Sequence, residues 1–404
     1  MKVSLRILFV LPYVPSLIRV RSFQIIRSLA EAGHRITVVA LDDGHIDPAR
    51  TEQLASACER VHVVPHPRWR AALNCLGSLP TPVPLWGAYA RSEPMARLLS
   101  DLAGSGRFDV AHVEHLRAAH LWSSLGSLPR VLDAVDCIVA LRRQITARSQ
   151  GMRWLASAWE GRKLAWYEPR TYRHFDRVAV TSRHDEAALR QSGLGERSAI
   201  DVIPNGTDLG YFRPNGDGGP EGRTVIFSGK MSYVANEDAA RFLLTELMPR
   251  LRRRFPDLAL ILAGSGPSMA IKSLARSTGG VTVTEYVDDI RPFLERARFA
   301  ICPMRISVGI QNKALEAMAM GRPVVATPLA GRALPGAVEC GALRLAESAD
   351  DLASACATFL SDPEMAERAG REARRYVEAH HRWETAADRF TESYLRAIAD
   401  HRRQ

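Results

Sequence analysis

No apolar run in this chain approaches the ~20 consecutive residues that a membrane-spanning helix needs. Cysteine is sparse: six residues, at 58, 75, 137, 302, 340 and 356, with no close pairs. Neither a zinc module nor a disulfide framework is therefore indicated, and Cys302, inside a predicted strand, reads as core. No Asp-x-Asp pair stands at a predicted strand end. Asp288-Asp289 precedes a predicted helix and reads as its cap, so no metal is expected. The chain also lacks a helix-turn-helix, a zinc finger and any aromatic-basic recognition pattern, which argues against nucleic acid as a partner. Finally, the basic and apolar start of the chain has no small-residue cleavage site close behind it. Ile7-Leu8-Phe9-Val10-Leu11, stopped by Pro12, reads as a first β-strand and not as a signal peptide, and the cytoplasm is the compartment expected.

What is present is length and positive charge. The 404 residues, 46% hydrophobic and 24% charged, suffice for two domains with full cores. The net charge is +10 and the pI about 9.6. An anionic membrane surface, a phosphate-bearing substrate and a merely solvated basic surface all fit that excess, much of which is arginine on predicted helices, as at 250–254.

Apolar strands are predicted at 6–11, 36–41, 61–64, 108–115, 131–136 and 177–182, with a helix at 19–32 and further helical segments at 141–168 and from Asp185. That alternation implies βαβ units and a parallel sheet. Ligands of such sheets gather at the carboxyl ends of the strands. Arg19 and Arg21 in and beside the loop 12–20, Glu114 and His115, and Asp133 and Asp136 all fall there. Each also has a plain reading as a solvated strand-end or helix-start residue. The stretch 65–85, with prolines at 65, 67, 80, 82 and 84 around Arg68-Trp69-Arg70, reads as a long irregular loop able to touch a membrane or a large acceptor. Simple packing would equally account for Trp69 and Trp86. Asn205-Gly206 is a turn leaving a strand, and 215–222 is a flexible linker.

After the linker the pattern restarts at Val225. Strands are predicted at 225–228, 259–264, 281–284, 299–302 and 324–326, and one helix at 237–255. Gly264-Ser265-Gly266 lacks the further glycine and the ribose carboxylate of a dinucleotide fingerprint, so no nicotinamide cofactor is expected. The densest signal lies at 305–327, read as loop, helix and strand. Gly309 frees the backbone, 314–320 is rich in strong helix formers, and Gly321 closes the helix. Lys313 and Glu316, three apart, share one face near the helix N-terminus, where backbone N–H groups attract phosphate. A solvated Lys–Glu pair on an amphipathic helix has the same spacing.

The stretch Gly309-Ile-Gln-Asn-Lys-Ala-Leu-Glu-Ala-Met-Ala-Met-Gly-Arg-Pro-Val-Val-Ala-Thr327 resembles the nucleotide-sugar motif of GT-B glycosyltransferases, in particular retaining family 4 and a subgroup associated with exopolysaccharide assembly. Ile203-Pro204-Asn205-Gly206-Thr207-Asp208 resembles that family's hinge. The resemblance implies an α/β fold of two Rossmann-like domains facing across a cleft: 1–205 for the acceptor, 206–380 for the donor, and a helix at 381–404 crossing back. Glu316 matches the glutamate held to bind the donor ribose. The family's first glutamate is replaced by Val308, and its usual double glycine after the first strand by Ser16-Leu17. Lys230, after Gly229, matches the basic residue that reaches the diphosphate, while Asn236 or Ala235 stands where a second lysine is usual.

Donor contacts are implied for Gly229, Lys230, Gly264, Gly266, Tyr286, Val287, Val308, Gly309, Ile310, Lys313, Leu315 and Glu316. Acceptor contacts are implied for Arg19, Arg21 and Asp136, and catalytic roles for Lys230, Lys313, Glu114 and His115. The activity implied is retaining hexosyl transfer, without metal or cofactor, from a nucleotide-diphospho-sugar to a glycan, lipid-linked or small-molecule acceptor, with peripheral contact at the inner membrane face. A nucleotide-sugar epimerase of the same fold, or a non-catalytic sugar-nucleotide or polysaccharide binder, remains open at this level.

Overall fold

The computed structural model describes residues 3–15, 20–42, 48–196, 198–214 and 219–403. Arg19 and residues 215–218 of the predicted linker lie outside the described residues. The chain divides into two units, Met1–Pro204 with Trp383–Gln404, and Asn205–Arg382.

The first unit holds a seven-stranded parallel sheet of β1 (Arg6–Leu11), β2 (Arg35–Asp42), β3 (Arg60–Pro65), β4 (Val110–Glu114), β5 (Arg130–Val135), β6 (Arg177–Val180) and β7 (Ala199–Val202), in the order β3-β2-β1-β4-β5-β6-β7. Period-two alternation in β1 sends Ile7, Phe9 and Leu11 to one core and Leu8 and Val10 to the other. Burial on both faces is why these strands read as continuous apolar runs.

The helices Val20–Glu31 and Trp383–His401 cover the first face, contributing Ile25, Ile26 and Leu29, and Trp383, Phe390 and Tyr394. Tyr394 Oη lies 2.7 Å from His112 Nδ1, and His112 stacks on Phe9 with centroids 4.3 Å apart. Burial pushes His112 down to about 4, so the imidazole is neutral at physiological pH.

Two stretches differ from the sequence reading. The supposed loop at 65–85 contains a helix, Arg68–Ser78, followed by a short one at Leu85–Tyr89. Pro67 and Pro84 stand immediately before them, where a missing N–H costs no intrahelical bond. The helical segment 141–168 is two helices, Ile138–Ala147 and Gly151–Tyr172. Buried Glu168 of the second accepts bonds from Ile138 N (2.8 Å) and Val139 N (3.3 Å), capping the first.

The second unit holds a six-stranded parallel sheet of β8 (Thr224–Ser228), β9 (Ala259–Ala263), β10 (Val281–Val283), β11 (Phe299–Cys302), β12 (Val324–Ala326) and β13 (Leu343–Leu345), in the order β10-β9-β8-β11-β12-β13. The helix predicted at 237–255 begins at Val234 and widens to a π-turn over Leu243–Leu247 before Met248–Arg254. Pro249, which has no N–H to give the ladder, follows that turn. The 314–320 segment is the helix Asn312–Ala319. Gly321 closes it at φ 67°, donating its N–H to Met318 O (2.9 Å). Among the described residues, no helix is long and apolar enough to cross a membrane.

Candidate active site

In the second unit the carboxyl ends of β8, β9 and β11 converge on a small cradle. β8 runs into Gly229 (φ 140°) and β9 into Gly264 (φ 137°). A Cβ on Gly264 would lie 2.1 Å from Gly229 O. One on Gly229 would lie 2.9 Å from Asn236 Nδ2 and 3.1 Å from Lys313 Cε. Only glycine fits at either place, both for backbone conformation and for space. Gly266 follows against Ser232.

Asn236 ties the cradle together. Its Nδ2 donates to Lys230 O (2.9 Å), and its Oδ1 accepts from Lys313 Nζ (2.6 Å). The sequence reading noted Asn236 only as standing near a missing lysine. Its pairing with a residue 77 positions away has no local signal.

Lys313 is held by dipoles and not by a counter-ion. Besides Asn236 it reaches Gln311 Oε1 (3.4 Å) and Met304 Sδ (3.7 Å), and lies 5.0 Å from the Phe227 ring centroid. Burial draws its pKa down, opposed by Cys302 and Glu316. Glu316, one turn along the helix, is pushed up to about 7 by burial, against the pull of Lys313. No described residue forms a hydrogen bond or ion pair with its carboxyl. The helix start is likewise uncapped: Gln311, its N-cap, spends its Nε2 on Ser307 Oγ (2.9 Å) and Val308 O (3.4 Å). An ammonium without a carboxylate, a carboxyl without a donor and an uncapped helix end suit a ligand bearing both phosphate and hydroxyls.

The other donor candidates divide by exposure. Lys230 is exposed beside the cradle, and Tyr286 presents an open ring. Thr284 Oγ1, two residues earlier, accepts from Gly264 N (3.1 Å), which fixes the Tyr286-Val287 segment beside the glycine turn. Gly309 takes φ 62° in the loop entering the helix. Val308 and Ile310 are nearly buried, and Leu315 is wholly buried, so its side chain packs the interior.

In the first unit a second polar cluster lies at the ends of β1, β4 and β5. Glu114, only 2% exposed, accepts a hydrogen bond from Tyr13 Oη at 2.5 Å. Burial, and then the charge of Asp133, pushes it up to about 7. Asp136 reaches about 7 through burial and then Asp185, and accepts from Thr181 Oγ1 (3.3 Å). His115 and Val135, at the ends of β4 and β5, have φ of 68° and 67°. The second is strained for a β-branched residue. The His115 ring stacks on Trp86 at 5.7 Å, with Arg117 over the same indole.

Arg21 does not stand open to an acceptor. Its Nε and Nη2 grip Asp133 Oδ2 and Oδ1 at 2.7 and 3.0 Å, and Nη2 also reaches Ile203 O at 3.1 Å. It is 6% exposed, and its guanidinium is committed to holding a buried carboxylate. Among the described residues, no cluster of three His, Cys, Asp or Glu is placed to hold a metal ion.

Comparison with known proteins agrees with this geometry. Residues 222–362 match the family profile of glycosyl transferases group 1, and residues 18–206 that of the glycosyl transferase 4-like domain. The phosphatidyl-myo-inositol mannosyltransferase of Mycolicibacterium smegmatis is 28% identical over 391 residues, covering 93% of this chain and 89% of that protein. A glycogen synthase of Mycobacterium tuberculosis is 31% identical over 232 residues, 54% of this chain and 52% of its own. Among solved structures, sucrose-phosphate synthase from Thermosynechococcus elongatus superposes with a TM-score of 0.72 at 19% identity, covering 98% of this chain and 99% of that one. Anabaena Alr3699/HepE in complex with UDP and glucose superposes with a TM-score of 0.65 at 16% identity, covering 96% and 99%. The twin parallel sheets, the glycine cradle and both family matches make this chain a member of the GT4-type glycosyltransferases of GT-B fold.

Proposed function

We propose that this glycosyltransferase moves a hexosyl group from a nucleotide-diphospho-sugar to an acceptor hydroxyl with retention at the anomeric carbon, without a metal ion. The anomeric C–O bond to the diphosphate breaks, a C–O bond to the acceptor forms on the same face, and the acceptor proton passes to the departing diphosphate. Lys313, Lys230 and the N–H groups opening the Asn312–Ala319 helix oppose the charge growing on the leaving group. Charge held in place beforehand is the largest contribution an enzyme of this kind makes. Glu316 accepts hydrogen bonds from the ribose diol, and Tyr286 lies beside the base. The observation that carries the reading is Lys313, an ammonium seated among neutral dipoles with no carboxylate paired to it.

The acceptor is held by the first unit, where Glu114, His115 and Asp136 line the strand ends. A lipid-linked acceptor in exopolysaccharide or other glycoconjugate synthesis fits best, at the inner membrane face. The M. smegmatis relative, by its name a transferase to phosphatidyl-myo-inositol, supports a lipid. Of the carboxylates at these strand ends that an epimerase could use, Asp133 is occupied by Arg21.

The test has two stages. Calorimetry with nucleoside diphosphates should find one that binds wild type and binds Lys313→Met at least about tenfold more weakly, the loss of one charged hydrogen bond. Turnover of the matching nucleotide-sugar should then give an α product from an α donor by NMR. An inverted product would overturn retention. Free isomerised donor without transfer would overturn the transferase reading.

A further inference from the structure

Two helices of the first unit present apolar stripes to solvent. In Arg68–Ser78, Ala71 and Ser78 are buried and Asn74 and Cys75 half-buried, while Trp69, Leu73 and Leu76 are 58–61% exposed. Spacings of four and three put those three on one stripe. Gly151–Tyr172 buries Leu164, Tyr167 and Tyr172 along with Ser157, Glu160 and Glu168, yet Met152, Leu155, Trp159 and Trp166 stand out on a further stripe. Soluble helices turn such side chains inward.

The two outward faces adjoin. Lys163 of the long helix donates to Ser78 O (2.8 Å) and Leu79 O (3.0 Å) at the end of the short one. Its ammonium also lies 3.9 Å from the Trp159 ring centroid. The same pairing repeats along the surface: Arg70 lies over Trp69 and Arg170 over Trp166.

We infer that this paired-helix face, with tryptophan and leucine between arginines, docks the protein onto an anionic lipid bilayer, the indoles at the headgroup level and the cations against the lipid phosphates. Indoles at the interface and nearby basic residues are what a charged bilayer surface selects. Charge decides the occupant. The acidic residues of these two helices are Glu160 and Glu168, both buried, so the exposed face carries positive charge alone. A second copy of the chain would bring like charges together on docking. The inference rests on the proposed peripheral contact with the membrane and names the surface that makes it. It is independent of how the donor binds.

Co-sedimentation of the full chain with phosphatidylcholine vesicles, with and without phosphatidylglycerol, tests it. Wild type should pellet with the anionic vesicles at low salt, pellet less at high salt, and stay in solution with phosphatidylcholine alone. The variant Arg153→Glu/Arg162→Glu, which reverses two exposed arginines of the long helix, should lose about tenfold or more in vesicle affinity, at about 1 kcal/mol per basic residue. Trp69→Ser/Leu73→Ser/Trp159→Ser should lose at least as much. Nucleoside-diphosphate affinity and the circular dichroism spectrum should be unchanged in both. Equal pelleting of wild type and both variants would assign membrane contact to another surface. No pelleting of wild type at low salt would overturn membrane contact itself, and a stable dimer by sedimentation velocity, abolished by the triple variant, would give the face to a second copy.

Discussion

Glu316→Gln should do two opposite things. The carboxyl is pushed from an ordinary 4.5 up to about 7, chiefly by burial. At about 1.36 kcal/mol per pH unit, holding it ionised in the ligand-free fold costs up to about 3 kcal/mol. Its partial exposure to solvent reduces that to about 1–3 kcal/mol. The sign follows from proton counting. Between pH 4.5 and about 7 the folded state binds more protons at this site than the unfolded state, so stability falls as pH rises, and the cost is complete above about 7.

Glutamine has the same shape and no charge. The variant should therefore be more stable than wild type at pH 8 by about 1–3 kcal/mol, with the gain vanishing below pH 4.5. Donor affinity should fall by roughly 1–3 kcal/mol, because the ribose loses an ionised acceptor. Because the bound diol favours the ionised form, wild type should also release protons on binding donor near pH 6, and the variant fewer. Urea titrations at pH 8 and pH 4.5, and calorimetry in two buffers of different ionisation enthalpy, read all three quantities. A variant no more stable than wild type at pH 8 would refute the burden assigned to this carboxyl. Unchanged donor affinity would remove Glu316 from the site.

Turnover should persist in excess chelator, if Lys230 and Lys313 meet the phosphates as proposed. Loss of activity in EDTA with recovery on adding magnesium or manganese would decide against this. Gly264→Ala should destabilise the second unit by about 3 kcal/mol or more, because the new Cβ would fall 2.1 Å from Gly229 O at φ 137°; near-normal melting would mean the turn can open. Arg21→Met should cost about 3–5 kcal/mol by leaving Asp133 buried and unpaired, and adding Asp133→Leu should restore much of it. If the double variant is no better than the single one, the pair is not what positions β5 against the first helix.

The sheets were legible because buried parallel strands are short apolar runs, and 6–11, 299–302 and 324–326 appear in the structure with the ends expected. The helix at 68–78 was not legible for a physical reason. Its prolines flank it, and its apolar stripe points to solvent, so the usual link between periodicity and burial is inverted. β13 does not stand out because Arg344 interrupts its apolar run, whereas the equally short β12 is apolar throughout. Lys313 and Glu316 were visible as a spaced pair on one helix face. That Lys313 bonds the amide of Asn236 and forms no salt bridge with Glu316 could be seen only in the folded structure. Arg21 and Asp133 were each read as open to ligand. They are 112 residues apart in sequence, and nothing local announces that each neutralises the other.

The helix Trp383–His401 bears on the order in which the chain is made. Trp383, Phe390 and Tyr394 lie in the core of the first unit, together with Ile7 and Phe9 of its first strand. A ribosome adding about 5–20 residues per second completes the second unit before that helix emerges. The first unit must therefore wait with one face of its sheet covered only by Val20–Glu31 and with His112 lacking the Tyr394 hydroxyl. A nascent chain of this design has a vulnerable interval in which the earlier half is the unfinished one, and chaperones would hold it longest there. Removing the helix Trp383–His401 for convenience of expression would for the same reason damage the first unit and leave the second one whole.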